Sequence, residues 1–310
     1  MGRPVAEAGA EVGLAGRVGQ AGRAGPQITQ RTGRTGASAF ATRVVVAAIA
    51  VAASACAARA PRAAAGSGAA ADSPSPRLDR NSLTAHADLV DKAKSGRIDV
   101  YFVGDSITRR WGALDYPELL ANWTSNFFGW NAANFGWGGD RVQNILWRLE
   151  NGELDGVRPK VFVVLAGTNN IGARQRAGDE AADIARGVRA IVDACRRKAP
   201  AATIVLMAIF PRNDNIAYMP VIARINAQLA RVADGRRIRY VDINDKLAGG
   251  DGRLFDGMMA DGLHPTAAAY QIWADALKPI LRELLGPPST VDLAPPPTGD
   301  PAAAKRDRFR

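Results

Sequence analysis

Five short apolar runs recur along the middle of the chain, and each is followed by a segment with the apolar spacing of a helix. The runs are rich in Val, Ile and Phe, which is typical of buried strands. Strands are predicted at residues 98–103, 131–135, 161–166, 203–209 and 238–243. Helices are predicted at residues 81–95, 116–123, 142–149, 180–198, 221–233 and 266–284. The alternation of strand and helix predicts an α/β fold with a parallel sheet covered on both faces.

Composition divides the 310-residue chain into four parts. Residues 1–56 are predicted to form an N-terminal extension that includes a signal-like or lipoprotein-like segment. Residues 57–78 consist largely of Ala, Pro, Ser and Gly, which predicts a flexible linker. Residues 79–285 are expected to fold as one domain. Residues 286–310 are expected to form a disordered, Pro-rich tail.

The N-terminal extension carries an export pattern. Arg43 precedes an apolar run at residues 44–53, which has about the length of a signal-peptide core and falls short of the roughly 20 residues of a membrane span. We therefore expect an exported protein, located in the periplasm, on the cell surface or outside the cell. The run ends in Ala-Ser-Ala-Cys, which fits either cleavage after an A-x-A pattern or lipidation of Cys56 as a membrane anchor.

The net charge of +10 at neutral pH raises the question of nucleic-acid binding. Residues 1–80 hold ten Arg against four acidic residues, and residues 298–310 hold four basic residues against two acidic ones. The excess charge therefore lies mainly in the flanks, and the predicted domain is close to neutral. Since no basic and aromatic binding platform is present either, nucleic acid is not an expected partner.

Cysteine and histidine are scarce. Cys195 falls on the apolar face of the helix predicted at 180–198, so we expect a buried free thiol and no disulfide within the domain. The two histidines, His86 and His264, are too few and too far apart in sequence for a zinc cluster. Neither a metal nor a cofactor is predicted.

Two short motifs flank the predicted sheet. Gly104-Asp105-Ser106 follows the first strand, where ligands collect in open α/β sheets, although the same tripeptide also occurs in ordinary turns. Asp261 and His264 follow the last strand with a spacing of three, so the carboxylate can orient the imidazole. A hydroxyl, an imidazole and a carboxylate are the groups of nucleophilic acyl transfer.

Two further loops supply possible hydrogen-bond donors. Gly138 and Gly139 lie in the glycine-rich loop after the second strand, where the backbone can approach a ligand closely. Asn169 follows the third strand and could extend its amide into the same crevice. Backbone N–H groups and side-chain amides are the donors that a tetrahedral oxyanion needs.

Together these motifs resemble the SGNH (GDSL) hydrolase family across roughly residues 81–285. The stretches 134–140 and 146–154 are most similar to the catalytic subunits of platelet-activating-factor acetylhydrolase and their bacterial relatives. The resemblance implies a flavodoxin-like, three-layer α/β/α fold with a five-stranded parallel sheet. It also implies Ser106 as nucleophile, His264 as general base and Asp261 as its partner. The implied oxyanion hole consists of Ser106, Gly139 and Asn169. Asn170 stands where many members of the family have Asp.

The expected activity is hydrolysis of short acyl esters, with acetyl favoured, on a small-molecule, carbohydrate or lipid-like ester. Lysophospholipase or thioesterase activity on longer chains is the alternative, and a non-catalytic cell-surface binding module is a third hypothesis. Trp111, Trp137, Arg141 and Phe210 are the candidate substrate-binding residues, and plain packing or surface pairing is their competing interpretation. The pattern does not predict the oligomeric state.

Overall fold

The structure, a computed structural model, describes residues 70–173 and 179–306. The export segment, Cys56 and most of the predicted linker lie outside these residues, so the expectations for them stay predictions. Described helices are nowhere both long enough and apolar enough to cross a membrane.

Five parallel strands form one sheet in the order β2-β1-β3-β4-β5. Their bounds are Val100–Gly104 (β1), Ala132–Asn134 (β2), Val161–Leu165 (β3), Thr203–Met207 (β4) and Ile238–Val241 (β5). All five lie within the predicted runs or extend one residue beyond them. This strand order is the flavodoxin-like one, so the predicted fold class is confirmed.

Alternate residues of each strand face opposite sides of the sheet. Tyr101 and Val103 pack into one hydrophobic cluster, while Val100 and Phe102 pack into a second. The first cluster is covered by the helices Arg80–Ala93 (α1), Val142–Arg148 (α4), Glu180–Lys198 (α5) and Met219–Ala230 (α6). The second is covered by Ser106–Trp111 (α2), Pro117–Phe127 (α3) and Ala267–Leu285 (α7). A short helix, Pro301–Arg306 (α8), follows near the C-terminus.

The chain enters α2 directly from β1 through a tight turn. A Cβ on Gly104 would lie 1.9 Å from the Thr108 Oγ1 atom and 2.7 Å from the Leu165 carbonyl oxygen, so only glycine fits. The Asp105 side chain caps the helix by accepting a hydrogen bond from the backbone N–H of Ile107, at 2.9 Å. The apolar periodicity does not predict α2, because six residues are too few to establish a period.

The C-terminal part of the predicted flexible linker, residues 70–78, is ordered in the structure. Ala71 is 1% exposed and belongs to the first hydrophobic cluster, and the Ser75 N–H donates to the Gln143 carbonyl oxygen at 3.0 Å. Residues 70–78 are therefore packed onto the domain. Small residues and prolines give no apolar period, so the sequence pattern alone does not reveal this packing.

The segment after α7, predicted to be a disordered tail, is also ordered where the structure describes it. The Leu293 N–H donates to the Asn131 Oδ1 atom at 2.7 Å, and the Leu293 carbonyl accepts from the Arg97 N–H at 2.8 Å. Further along, the Asp300 N–H donates to the Asp115 Oδ1 atom at 2.9 Å. The tail is thus held by backbone hydrogen bonds to loops of the domain, an interaction that amino-acid composition cannot indicate.

We predict that replacing Asp292 by Ala lowers the free energy of unfolding by about 1–3 kcal/mol, since hydrogen bonds to a charged group are lost. The Asp292 carboxylate accepts from the Gly129 N–H at 2.5 Å and from the Ala294 N–H at 2.8 Å. Urea denaturation followed by tryptophan fluorescence measures the change. The matched control is Val291→Ala, because that side chain is 58% exposed. Equal stabilities for the two variants would show that Asp292 does not anchor the tail.

Candidate active site

Ser106 lies at the first position of α2, at the carboxyl edge of the sheet. Its Oγ atom is 2.9 Å from the Nε2 atom of His264, although 158 residues separate the two in sequence. The His264 Nδ1 atom is in turn 2.7 Å from the Asp261 Oδ2 atom. The structure therefore brings the three residues into one continuous chain of hydrogen bonds.

The Asp261–His264 segment forms a compact turn. The Asp261 Oδ1 atom accepts from the N–H groups of Leu263, at 3.1 Å, and His264, at 2.8 Å. The Gly262 carbonyl accepts from the N–H of Asn213 at 2.7 Å, which links the turn to the loop after β4. The turn is thus closed by hydrogen bonds of its own and tied to a neighbouring loop, so the imidazole is held in place before any ligand binds.

The surroundings set the charge states of this turn. Partial burial alone would raise the pKa of Asp261, but hydrogen bonds from the His264 N–H, the imidazole and the Leu263 N–H lower that pKa to about 2. The ionised carboxylate can only accept, so the His264 Nδ1 atom carries the proton. Burial lowers the pKa of His264 below its ordinary value of 6.5, and Arg110 and Arg212 lower it further, against the opposing effect of Asp261. At neutral pH the Nε2 atom is thus free to accept the hydroxyl proton of Ser106.

Three further donors surround the Ser106 hydroxyl: the backbone N–H of Ser106 itself, the Gly139 N–H and the Asn169 side-chain amide. Gly139 is solvent-exposed and has a φ of +76°, which favours glycine. Among the residues that the structure describes, the backbone N–H groups of Gly139 and Ser106 donate no hydrogen bond. The Asn169 Nδ2 atom donates one hydrogen bond to the Asp140 carbonyl at 2.9 Å, which leaves its second N–H. These are donors of the kind that stabilise an oxyanion.

A buried ionic cluster lies beneath the glycine-rich loop after β2, residues 135–141, called the glycine loop below. The Arg148 Nε atom donates to the Asp140 Oδ2 atom at 2.7 Å, and its Nη1 atom donates to Glu153. Both acids are nearly inaccessible, at 1% and 0% exposed. The Arg148 Nη2 atom also donates to the Phe135 carbonyl at 3.1 Å. Arg148 therefore connects the end of β2, the glycine loop and the segment after α4.

Three of the four candidate substrate-binding residues are buried. Trp111 is 0% exposed and Phe210 is 3% exposed, and both pack in the aromatic core around Trp273. Their assignment as pocket residues is corrected accordingly: α2 turns the Trp111 ring inward, and the Phe210 ring meets Trp273 edge-on. Trp137 is also buried and donates to the Ser82 Oγ atom at 3.1 Å.

Arg141 and Arg212 have different surroundings. Arg141 is partly exposed at the start of α4, directly after the glycine loop. Arg212 is buried; it pairs with Asp214 and donates to the Thr168 carbonyl at 3.1 Å. Asn170 caps α4 by accepting from the Val142 N–H at 2.9 Å, so its side chain supports the loop next to Asn169.

Three arginines near the site were not predicted. Arg77 contacts the glycine loop, Arg110 lies 3.6 Å from the Asp261 carboxylate, and Arg148 forms the buried cluster. Of the three, only Arg148 could have been recognised from the sequence, because it is a charged residue on the same helix face as the apolar Ile145 and Leu149. Across residues 70–173 and 179–306, no group of three His, Cys, Asp or Glu side chains could hold a metal ion.

Residues 102–272 match the model of the GDSL-like Lipase/Acylhydrolase family, which is more than half of the chain. The chain belongs to this family. Its sequence is 32% identical over 221 residues to "Platelet-activating factor acetylhydrolase IB subunit alpha1" of Bos taurus, and the match covers 69% of this chain and 90% of the relative. Its identity to the alpha2 subunit of Gallus gallus is 32% over 205 residues, covering 66% and 84%.

A solved GDSL-like lipase from Bacteroides thetaiotaomicron has the same fold, with a TM-score of 0.51 and 20% sequence identity over 66% of this chain and 96% of that one. The predicted family and fold are thus confirmed. As a GDSL-type acylhydrolase, the protein is an enzyme that hydrolyses esters, which argues against a non-catalytic binding module.

Proposed function

We propose that this GDSL-type acylhydrolase is a serine esterase that works through an acyl-enzyme, with Ser106 as nucleophile, His264 as general base and Asp261 as its partner. The observation that carries the proposal is the chain of contacts from the Ser106 Oγ atom through the imidazole to the Asp261 carboxylate, at 2.9 and 2.7 Å. The free Nε2 lone pair faces the hydroxyl, which is the arrangement that activates a serine.

In the first step the Ser106 Oγ atom forms a bond to the ester carbonyl carbon, and its proton moves to the His264 Nε2 atom. Asp261 stabilises the resulting imidazolium through the Nδ1–H bond. The carbonyl oxygen becomes an oxyanion, which accepts hydrogen bonds from the N–H groups of Gly139 and Ser106 and from the Asn169 amide. The carbon–oxygen bond then breaks, and the alcohol leaves with the proton from His264.

In the second step water attacks the acyl-Ser106 carbonyl. His264 takes one proton from the water as the new carbon–oxygen bond forms, and the same donors bind the second oxyanion. Collapse of this intermediate returns the proton to the Ser106 Oγ atom and releases the carboxylic acid. Every proton transfer is carried by one imidazole, and no further co-reactant is required.

Ser106→Ala is expected to abolish both ester hydrolysis and covalent labelling by a fluorophosphonate probe, since the attacking oxygen is removed. Turnover of p-nitrophenyl acetate and in-gel probe fluorescence measure the two effects. The matched control is Ser125→Ala, because the Ser125 hydroxyl donates only within α3, to the Asn122 carbonyl at 2.8 Å. Labelling that persists in Ser106→Ala would refute the proposed nucleophile.

The pH dependence follows from the lowered pKa of His264. Because the neutral imidazole is the active form, kcat/KM should fall only below the ordinary histidine value of 6.5, on the acid side. Arg110→Met removes a cation that lowers this pKa and that also lies 3.6 Å from Asp261. The acid limb should therefore move to higher pH in the variant. A pH–rate profile that is the same in both proteins would contradict this electrostatic account.

We propose short acyl groups, acetyl first, as the preferred substrates. The support is that similar curated proteins are named acetylhydrolases. A small-molecule, carbohydrate or lipid-like ester would meet the chemistry of the site equally well. Longer-chain lysophospholipase or thioesterase activity is the alternative.

We expect kcat/KM to decrease from p-nitrophenyl acetate to octanoate to palmitate, because a short acyl site cannot accommodate the longer chains. The comparison is made below the micelle-forming concentration of each ester, with Ser106→Ala as the blank. A steep preference for octanoate or palmitate would overturn the acetyl proposal and favour the alternative, while leaving the serine mechanism intact.

Export, and anchoring through a lipidated Cys56, remain part of the proposal. They are supported by the apolar run at residues 44–53 and the Ala-Ser-Ala-Cys that follows it. Such an enzyme would meet its ester outside the cytoplasm.

A further inference from the structure

Arg77 contacts the glycine loop from outside the sheet. It belongs to the packed segment 70–78, upstream of α1. Its Nη1 atom donates to the Gly138 carbonyl oxygen at 2.5 Å and lies 3.6 Å from the Asp140 Oδ1 atom. The Arg77 Nε atom donates to the Asp79 Oδ2 atom at 3.2 Å, which fixes the orientation of the guanidinium. With 32% of its side chain exposed, Arg77 covers this side of the loop.

The Gly138 carbonyl and the Gly139 N–H belong to the same peptide unit. A cation bound to the carbonyl oxygen draws electron density through the amide, and the N–H becomes a stronger donor. The same contact fixes the plane of the peptide and hence the direction of the N–H. Arg77 therefore acts on the group that the proposed mechanism uses to bind the oxyanion.

Packing does not hold this peptide. A Cβ added to Gly138 would have no neighbour within 4 Å, and the nearest atom to a Cβ on Gly139 would be the Arg77 Nη1 atom, at 3.2 Å. Two consecutive glycines have wide conformational freedom. The orientation of the peptide must therefore come from hydrogen bonds, and within residues 70–173 and 179–306 the bond to its carbonyl comes from Arg77.

We propose that Arg77 is a positioning residue that aims and polarises the Gly139 N–H for the oxyanion. The inference rests on the proposed function, since it assumes that this N–H stabilises the transition state. It assigns a catalytic contribution to the segment that connects the N-terminal extension to the domain.

The test compares four full-length variants. Arg77→Met removes the donors at similar length, and Arg77→Lys keeps the charge. Asn169→Ala removes a proposed oxyanion donor and provides the reference. Arg186→Met is the matched control, because the Arg186 Nε atom donates to the Asp72 Oδ2 atom at 2.7 Å and so holds the same segment without touching the loop.

We expect Arg77→Met to lower kcat for p-nitrophenyl acetate about 10- to 100-fold with KM little changed, less than the roughly 10²–10³-fold loss typical of a missing oxyanion donor. The Ki of an alkyl trifluoromethyl ketone, which forms an oxyanion on the serine, should rise by a similar factor. Arg77→Lys should recover part of both losses, and Arg186→Met should match the wild type. A purely structural role for Arg77 would not make kcat and Ki change together.

Three outcomes would overturn the inference: an unchanged kcat in Arg77→Met, a fall in kcat with an unchanged Ki, or an equal fall in Arg186→Met. Failure of the proposed function looks different, because Ser106→Ala would then stay active. If Ser106→Ala is inactive and Asn169→Ala is slow while Arg77→Met equals the wild type, only the role of Arg77 is refuted.

Discussion

The buried guanidinium of Arg148 is the interaction on which the arrangement of the site depends. The loops that follow parallel strands all lie at one edge of the sheet, but the strands do not determine the relative positions of those loops. Arg148 does so by donating to Asp140, to Glu153 and to the Phe135 carbonyl, all within the protein interior. Glycines can therefore occupy the loop above it, because the charge-assisted hydrogen bond to the loop's Asp140 holds the loop from below without packing around the glycines.

Such a cluster is a weak source of stability. Removing ions from water is costly, and their mutual attraction offsets that cost only when geometry and hydrogen bonding are good. Breaking one partner of a buried pair typically costs about 3–5 kcal/mol, because it leaves an uncompensated charge. Arg148 is 5% exposed and has acids on two sides, so alternative loop arrangements that separate these charges are strongly disfavoured. The cluster thus selects one loop geometry, and the apolar clusters on the two faces of the sheet supply the stability.

The sequence predicts the parts of the molecule that repeat a local pattern. The helix at 180–198 is predicted to the residue, because its long apolar face and Asp179 cap are both local signals. The contact between Ser106 and His264 was expected from the placement of both motifs after strands of a parallel sheet and from the resemblance to a family, since a separation of 158 residues has no local signature. Arg77, Arg110 and the tail could not be predicted, because their roles depend on which loops meet in space. Trp111 was misassigned for a related reason: whether an aromatic ring lines a pocket or fills the core depends on a six-residue helix with no periodicity.

Two acids beside Ser106 show how the same functional group is given two charge states. Burial raises the pKa of Asp105 to about 7, whereas hydrogen bonds from its own turn bring the pKa of Asp261 to about 2. Asp105 therefore caps α2 without placing a full negative charge next to Ser106, where such a charge would oppose the oxyanion of the proposed mechanism. Asp261 lies at the exposed end of the imidazole and keeps its charge across the pH range in which His264 titrates. In the proposed mechanism the imidazolium forms only in the course of the reaction, so the site would place its permanent negative charge where the transient positive charge appears and withhold it from the oxyanion.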